Sequence, residues 1–387
     1  MGLNWPLMID CLSDVDKDIL KLFISTSDRY TQGEVTKVFE QKWSEWVGSK
    51  YSVFVSSGSS ANLLILSALK ELYFKDKTPT ILTSVCTWAT NISSCIQMGY
   101  KLVFADISMV DYGIDLSPAS VKDKEVDVIL AAHIMGIPSN IEAMKERFPN
   151  AIIVEDCCES HGAVYNGKKV GTHGKVSSFS FYFGHHMTTI EGGMISTDDR
   201  ELFNLLKAKR SHGMIRDMDE DIKQRYIDEN PHIDPSFMFI TDGFNARSSD
   251  LAAVIGVSQL SRLDDGVQKR IKNYDRFESV MQKYFDHFLL PNKEGNSSFC
   301  FPFVCVDKKV KEELQQKFID NGVEIRPFLV GNIMRQPYMS GYEAPLTPSA
   351  DFMHENAFYI GNNPFLTDDH FKLLEETLDE YFSMHDN

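Results

Sequence analysis

The stretch Ser180-Phe181-Tyr182-Phe183-Gly184-His185-His186-Met187-Thr188-Thr189-Ile190-Glu191-Gly192-Gly193 joins two short apolar runs, Val176 to Phe181 and Met194 to Thr197. Both runs have the length and the β-branched and aromatic content of buried strands. The segment between them is flanked by glycines and carries two adjacent histidines and one acid, Glu191. Most histidines simply pack or face water. One held in a loop at a strand end can move a proton near neutral pH. The paired glycines allow a ligand to approach the backbone closely.

Further runs of the same kind lie upstream, at Tyr51 to Val55, Thr80 to Ser84, Lys101 to Ala105, Val126 to Ala132 and Ala151 to Glu155. Helix-length segments separate them, and Glu34 to Val47 and Ser59 to Leu72 are read as helices. This βαβ alternation predicts a mostly parallel sheet covered on both faces. Downstream, residues 247 to 285 read as two consecutive helices. From about 290 the pattern changes to a strand (Ser298 to Val306), a helix (Lys308 to Asn321), a short strand (Val323 to Pro327) and a terminal helix (Asp368 to Phe382). The expected division is an N-terminal segment (1–30), a large α/β domain (31–265) and a smaller α+β domain (266–387).

The chain has 387 residues and a net charge of −16, which argues against a nucleic-acid or anionic-membrane partner. No apolar run is long enough to cross a bilayer, and Met1 to Asp10 lacks the charged start and apolar core of a signal peptide. Seven cysteines fall in no zinc spacing, and no residue set reads as a metal site. They are read as reduced core thiols of a cytoplasmic protein without membrane insertion.

Several features could carry chemistry, and each also has a plain structural reading. Val55-Ser56-Ser57-Gly58-Ser59-Ser60 runs from a strand into a helix, where backbone N–H groups and small hydroxyls either cap the helix or bind an anion. Trp88 opens a helix just after a strand and could pack there or stack on a flat heteroaromatic ring. Glu155-Asp156 closes a buried run, and strand C-termini are where ligands bind in open α/β sheets. A carboxylate there needs a partner, either a structural cation or a protonated pyridine nitrogen. Ser180 is a small hydroxyl at a strand end, and Gly243-Phe244-Asn245-Ala246-Arg247 precedes a helix as a cap or a polar reach.

In their order along the chain, Ser57-Gly58-Ser59, Trp88, Glu155-Asp156, Ser180, Glu191-Gly192-Gly193 and Gly243 to Arg247 resemble the DegT/DnrJ/EryC1/StrS sugar aminotransferase family, over roughly residues 30 to 380. That resemblance implies the type I aspartate-aminotransferase fold: a large, mostly parallel sheet of the seven-stranded type and a smaller α+β C-terminal domain. It also implies pyridoxal 5′-phosphate (PLP). Gly58, Ser59 and Ser180 would hold the phosphate, Trp88 would stack on the ring and Asp156 would pair with its nitrogen. Glu159 stands where the family has Gln or His near the ring hydroxyl. Asn245 would reach the phosphate of a neighbouring subunit, which implies a homodimer with shared active sites. Arg247, Arg326 and Arg335 are the implied substrate-binding cations.

The family holds PLP as an imine on a lysine, and His185 occupies that position here. A histidine in the frame serine, four residues, His-His resembles a subgroup, the 3-dehydratases of nucleotide-linked 4-keto-6-deoxy sugars. Arg326-Pro327 and Gly331-Asn332-Ile333-Met334-Arg335-Gln336-Pro337 fit the same subgroup. It implies non-covalent PLP, L-glutamate as the co-substrate that forms pyridoxamine 5′-phosphate (PMP), and loss of the sugar C3 hydroxyl with release of ammonia. The implied substrate is a nucleotide sugar of the GDP-4-keto-6-deoxymannose type, used in deoxysugar and O-antigen synthesis. His185 is the expected base and His186 its rival. Some members of the subgroup carry an iron–sulfur cluster; with no cysteine between Cys158 and Cys300, four-thiolate ligation is not expected. Two other classes remain open: an aminotransferase that works with histidine and forms an amino sugar, and a non-catalytic scaffold, which would not need Asp156, Ser180 and Trp88.

Overall fold

The computed structural model describes residues 5–121, 125–343 and 345–385. Its main sheet has seven strands: β1 (Tyr51–Val55), β2 (Thr80–Ser84), β3 (Lys101–Ala105), β4 (Val128–Ala132), β5 (Ile152–Asp156), β6 (Val176–Ser180) and β7 (Gly193–Thr197). Their order is β1-β7-β6-β5-β4-β2-β3. All run parallel except β7, which is antiparallel to both β1 and β6. The strands are near-continuous apolar or small-residue runs because helices cover both faces. Around this sheet lie α1 (Asp14–Thr26), α2 (Glu34–Val47), α3 (Gly58–Tyr73), α4 (Ala89–Gln97), α5 (Ile141–Arg147), α6 (Arg200–Arg210), α7 (Glu220–Glu229) and α8 (Asp250–Leu260).

A second sheet, in the order β8 (Cys300–Val304), β10 (Ala357–Gly361), β9 (Ile325–Pro327), is antiparallel. With α10 (Lys308–Asp320) and α12 (Asp368–His385) it encloses an aromatic core, in which Phe303 stacks on Phe358 with centroids 4.8 Å apart, while α11 (Pro348–Asn356) packs Ala350 and Met353 into a separate cluster with Phe104 and Tyr112. The long helix α9 (Leu263–Met281) serves both cores. Leu263 and Val267 join the packing around Trp43 and Phe179, whereas Tyr274, Phe277 and Met281 join the small-sheet core.

Residue 5 belongs to the second core. Trp5 is fully buried there, and its indole N–H donates to the Gly361 carbonyl at 2.8 Å. The chain then reaches α1, whose buried Asp16 pairs with Arg262 and accepts from Gln259. Neither α1 nor β10 was among the expected elements.

Strand registers bring the chemistry together. Gly193 pairs with both Val55 and Ser180, so the end of β1 and the end of β6 lie on either side of it. On the far side of β6, Asp156 pairs with Ser178 and Ala132. The C-terminal ends of β1, β6, β5, β4 and β2 therefore open on one region, next to the small sheet.

Candidate active site

At these strand ends lies a cleft of about 830 Å³. It gathers Gly58, Ser59, Trp88, Asp156, Glu159, Ser180, His185 and Arg326. The N-terminus of α3 forms its floor. Ser57 accepts from the Ser60 N–H (3.0 Å) and Ser60 accepts from the Ser57 N–H (2.9 Å), a capping box that leaves the Gly58 and Ser59 N–H groups without partners among the described residues. Glycine at 58 is required by space, since a Cβ there would lie 2.7 Å from the Cys158 sulfur and 2.8 Å from the Ser180 Cβ. Gly193 backs the same turn, and its Cβ would lie 2.6 Å from the Gly58 nitrogen. The Gly192-Gly193 pair thus lets protein backbone approach protein, not ligand: at Gly192 a Cβ would meet the Phe54 ring at 3.0 Å.

Successive residues of a strand face opposite ways, and this separates Glu155 from Asp156. Glu155 turns inward and accepts from the backbone N–H groups of Gly171, His173 and Gly174 and from His133 Nε2 (3.1 Å). Burial raises its carboxyl, but these bonds outweigh that and hold it below the usual range. Cys157 completes a buried trio with His133 and Glu155. The histidine is bonded on both sides, since its Nδ1 accepts from the Ser139 N–H (2.9 Å) and its Nε2 meets Glu155, and burial pushes the Cys157 thiol far up. Asp156 faces the cleft. It accepts from Asn62 Nδ2 (3.0 Å) and from the Cys158 N–H (3.0 Å). Asn62 is in turn fixed by Ser178 (2.6 Å) and Asn91 (3.0 Å). Among the described residues no basic side chain pairs with Asp156, so the structural ion pair is not what holds it.

Trp88 caps α4 and is 53% exposed, so packing does not explain it. Glu159, also in the cleft, accepts from the Met135 N–H (2.9 Å); burial, helped by Asp156, pushes its carboxyl up to about 7. His185 presents its ring to the cleft while its Nδ1 is buried without a partner. Burial and then the Arg270 guanidinium lower it to about 4, which leaves a neutral imidazole at pH 7. His186 is turned away. It is buried, its Nε2–H donates to the Ser297 carbonyl (3.2 Å), and it does not line the cleft.

Three expected residues lie elsewhere. Asn245 is exposed on the segment that runs beside β1, and Arg247 bridges Val55 and approaches His212 Nε2 (3.3 Å). Neither lines the cleft of its own chain. Arg335 is also outside it, and its guanidinium pairs with Asp351 (2.8 Å) and Glu355 (3.1 Å) of α11. The thiols also differ from expectation. Cys11 and Cys158 are only partly buried, and Cys158 lines the cleft. Residues missed in the sequence include Asn62, Asn91 and Phe299. For Asn62 a signal existed: it lies four residues beyond Gly58, on the same helix face.

Unpaired N–H groups at a helix end, a carboxylate lacking a cation, an exposed indole and a neutral imidazole now converge on one space. A family-wide sequence pattern for the DegT/DnrJ/EryC1/StrS aminotransferases matches residues 15–378. This chain belongs to that family. Among its relatives, the GDP-4-keto-6-deoxy-D-mannose 3-dehydratase of Yersinia pseudotuberculosis is 32% identical over 378 residues, 93% of this chain and 94% of its own length. A solved Escherichia coli GDP-4-keto-6-deoxy-D-mannose-3-dehydratase with bound hydrated PLP superposes with a TM-score of 0.88 at 28% identity, over 98% of this chain and 100% of its own. A further structure of GDP-4-keto-6-deoxymannose-3-dehydratase, with a trapped PLP-glutamate geminal diamine, gives 0.87 at 28% identity over 97% and 100%. In the family setting, the 7-stranded sheet with one reversed strand is the scaffold on which this cleft is built.

Proposed function

We propose that this protein is a PLP-dependent 3-dehydratase of a nucleotide-linked 4-keto-6-deoxyhexose, with GDP-4-keto-6-deoxymannose as substrate and L-glutamate as co-substrate. The observation that carries the reading is His185, a neutral imidazole facing a cleft that otherwise suits PLP. The fit rests on Asp156, a cleft carboxylate with no cation partner, and on the half-exposed Trp88 beside the free N–H groups of α3. When bound, PLP supplies an electron sink and, once charged with the nitrogen of glutamate, an amine that condenses with the sugar ketone.

The chain's residues do the rest. The Gly58 and Ser59 N–H groups and the Ser180 hydroxyl hold the phosphate at the positive end of α3. Asp156, oriented by Asn62 and the Cys158 N–H, keeps the ring nitrogen protonated. Trp88 covers one ring face, and Glu159 meets the ring oxygen. The cleft-facing nitrogen of His185 takes a proton from carbon and returns one to the departing C3 hydroxyl, which leaves as water. Arg326, at the small-sheet side of the cleft, meets the anionic part of the substrate. Sugar and glutamate give the 3-deoxy-4-keto sugar, 2-oxoglutarate and ammonia, with no net water. Two copies pair so that Asn245 and Arg247 serve the neighbour's site; the exposed Phe237 and Phe239 beside that segment support a buried interface there. A cytoplasmic location accords with cysteines that are all free.

The test is incubation with PLP, L-glutamate and GDP-4-keto-6-deoxymannose, followed by mass spectrometry of the sugar and an ammonia assay. One ammonia per 3-deoxy-4-keto sugar is expected, and none with His185→Asn. An amino sugar without ammonia makes the protein an aminotransferase. An unchanged sugar with no PLP binding makes it a scaffold.

A further inference from the structure

No hydrogen bond orients the His185 ring among the described residues. Its Nδ1 has no partner, and its ring is held only by packing, with Phe299 at 5.4 Å and Tyr182 and His161 at 6.2 Å between centroids. A catalytic base is ordinarily aimed by a bond to its second nitrogen. Here the aim depends on where the backbone puts the residue. The Tyr182 carbonyl accepts from the His185 N–H (3.0 Å), which makes a tight turn with Gly184 inside it.

Gly184 needs no unusual backbone angle; its glycine is explained by what lies against it. A Cβ there would fall inside the Met8 side chain, 2.8 Å from its Cγ, 3.2 Å from its Cε and closer still to its sulfur. Met8 belongs to a segment anchored at both ends. Trp5 is locked into the small-sheet core by its bond to Gly361, and its backbone pairs with Gly322 and Glu324. The Leu7 N–H donates to Glu324 (3.0 Å), the same carboxylate that pairs with Arg326 at 2.7 Å in the cleft. Beyond Met8, the Cys11 carbonyl accepts from Gln259 of α8 (3.0 Å). Between these anchors Leu7 and Met8 form part of the cleft wall.

We propose that Met8 is a positioning residue for His185: the strap from Trp5 to Cys11 presses its thioether onto Gly184 and so fixes the turn that aims the imidazole into the cleft. The inference takes His185 as the base from the reading above.

The experiment compares Met8→Ala, Met8→Leu, Gly184→Ala and the double variant Met8→Ala/Gly184→Ala. Met8→Ala should lower kcat for dehydration about tenfold while KM for the sugar and the PLP affinity hold, since a small misplacement of a base acts on the chemical step. Met8→Leu keeps the volume and should recover most of that loss. Gly184→Ala should also lower kcat. In the double variant the added methyl meets an emptied space, so kcat should exceed the product of the two single effects by about fivefold or more. A second readout needs neither cofactor nor turnover: NMR of the cofactor-free protein labelled in histidine, with the His185 signal assigned by its loss in His185→Asn. That signal should move in Met8→Ala and stay in Met8→Leu. Unchanged kcat in Met8→Ala, multiplicative singles, or an unmoved His185 signal overturns the proposal. If the wild-type protein fails to dehydrate the sugar, the proposed function falls, and the NMR comparison still decides whether Met8 sets the His185 turn.

Discussion

Glu159→Gln isolates one ionisation with a large expected effect. The Glu159 carboxyl moves from an ordinary 4.5 to about 7, because burial, with Asp156 nearby, opposes its charge and only the Met135 N–H supports it. Below pH 4.5 the acid is neutral in both folded and unfolded chains and contributes no pH dependence. Between 4.5 and 7 the unfolded chain loses the proton first, so native stability falls as pH rises and levels off above 7. The full difference corresponds to about 3 kcal/mol. Glutamine keeps an acceptor for the Met135 N–H but has no proton to lose. The buried His161, His185 and His186, all lowered chiefly by burial, tilt stability the opposite way below pH 6.5, but they act alike in both proteins and cancel in the comparison. With about 0.8 kcal/mol per degree for a chain of 387 residues, the cofactor-free variant should melt about 4 °C above wild type at pH 8, with the gap closing toward pH 5. Scanning calorimetry from pH 5 to 8.5 measures it. A gap independent of pH, or one that widens in acid, would refute the reasoning, because it would mean that Glu159 ionises freely in the folded protein.

Two further outcomes concern the residues outside the cleft. Asn245→Ala should weaken PLP retention by about 1.5–3 kcal/mol if its amide bonds a phosphate across the dimer; mixing inactive His185→Asn with inactive Asn245→Asp should then regain activity after subunit exchange, and a dead mixture with exchange demonstrated refutes the shared site. Arg335→Ala should leave the sugar KM within about twofold, as expected for a guanidinium outside the cleft whose ion pairs lie at the surface, whereas Arg326→Ala, inside the cleft, should raise it about tenfold or more through loss of a charge-assisted bond; equal effects in steady-state kinetics would return Arg335 to the substrate.

Local pattern carries furthest where strand ends are punctuated. Thr80–Ser84 and Lys101–Ala105 match their apolar runs because Pro79 and the left-handed Gly99 lie just before them and loop residues follow. β10 escaped because it follows α11 directly, with no turn residue between Asn356 and Ala357. α1 escaped because its anchor is polar and distant in sequence: Asp16 meets Arg262, while Val15, Leu22 and Ile24 face outward and blur the apolar stripe. The cleft residues were legible as a set because strand C-termini collect them. The ion pairs of Arg335 were not legible, because nothing local tells whether a guanidinium is free or already claimed by acids one turn apart on a later helix, here Asp351 and Glu355. Met8 was invisible for the same reason, since only the fold brings it to Gly184.

The surroundings of position 185 also favour a neutral acceptor there over an ammonium. Arg270 is buried behind it, bonded to the carbonyls of Phe299 (3.1 Å) and Asn362, and has no acid partner among the described residues. Burial lowers its guanidinium to about 10, so it stays charged at neutral pH. Any cation placed at 185 would share that desolvation and that repulsion. A lysine there would be pressed to give up its proton. A histidine escapes them by staying neutral, which leaves a nitrogen lone pair facing the cleft. The change of side chain and the electrostatics behind it thus act in one direction: away from covalent capture and toward proton transfer.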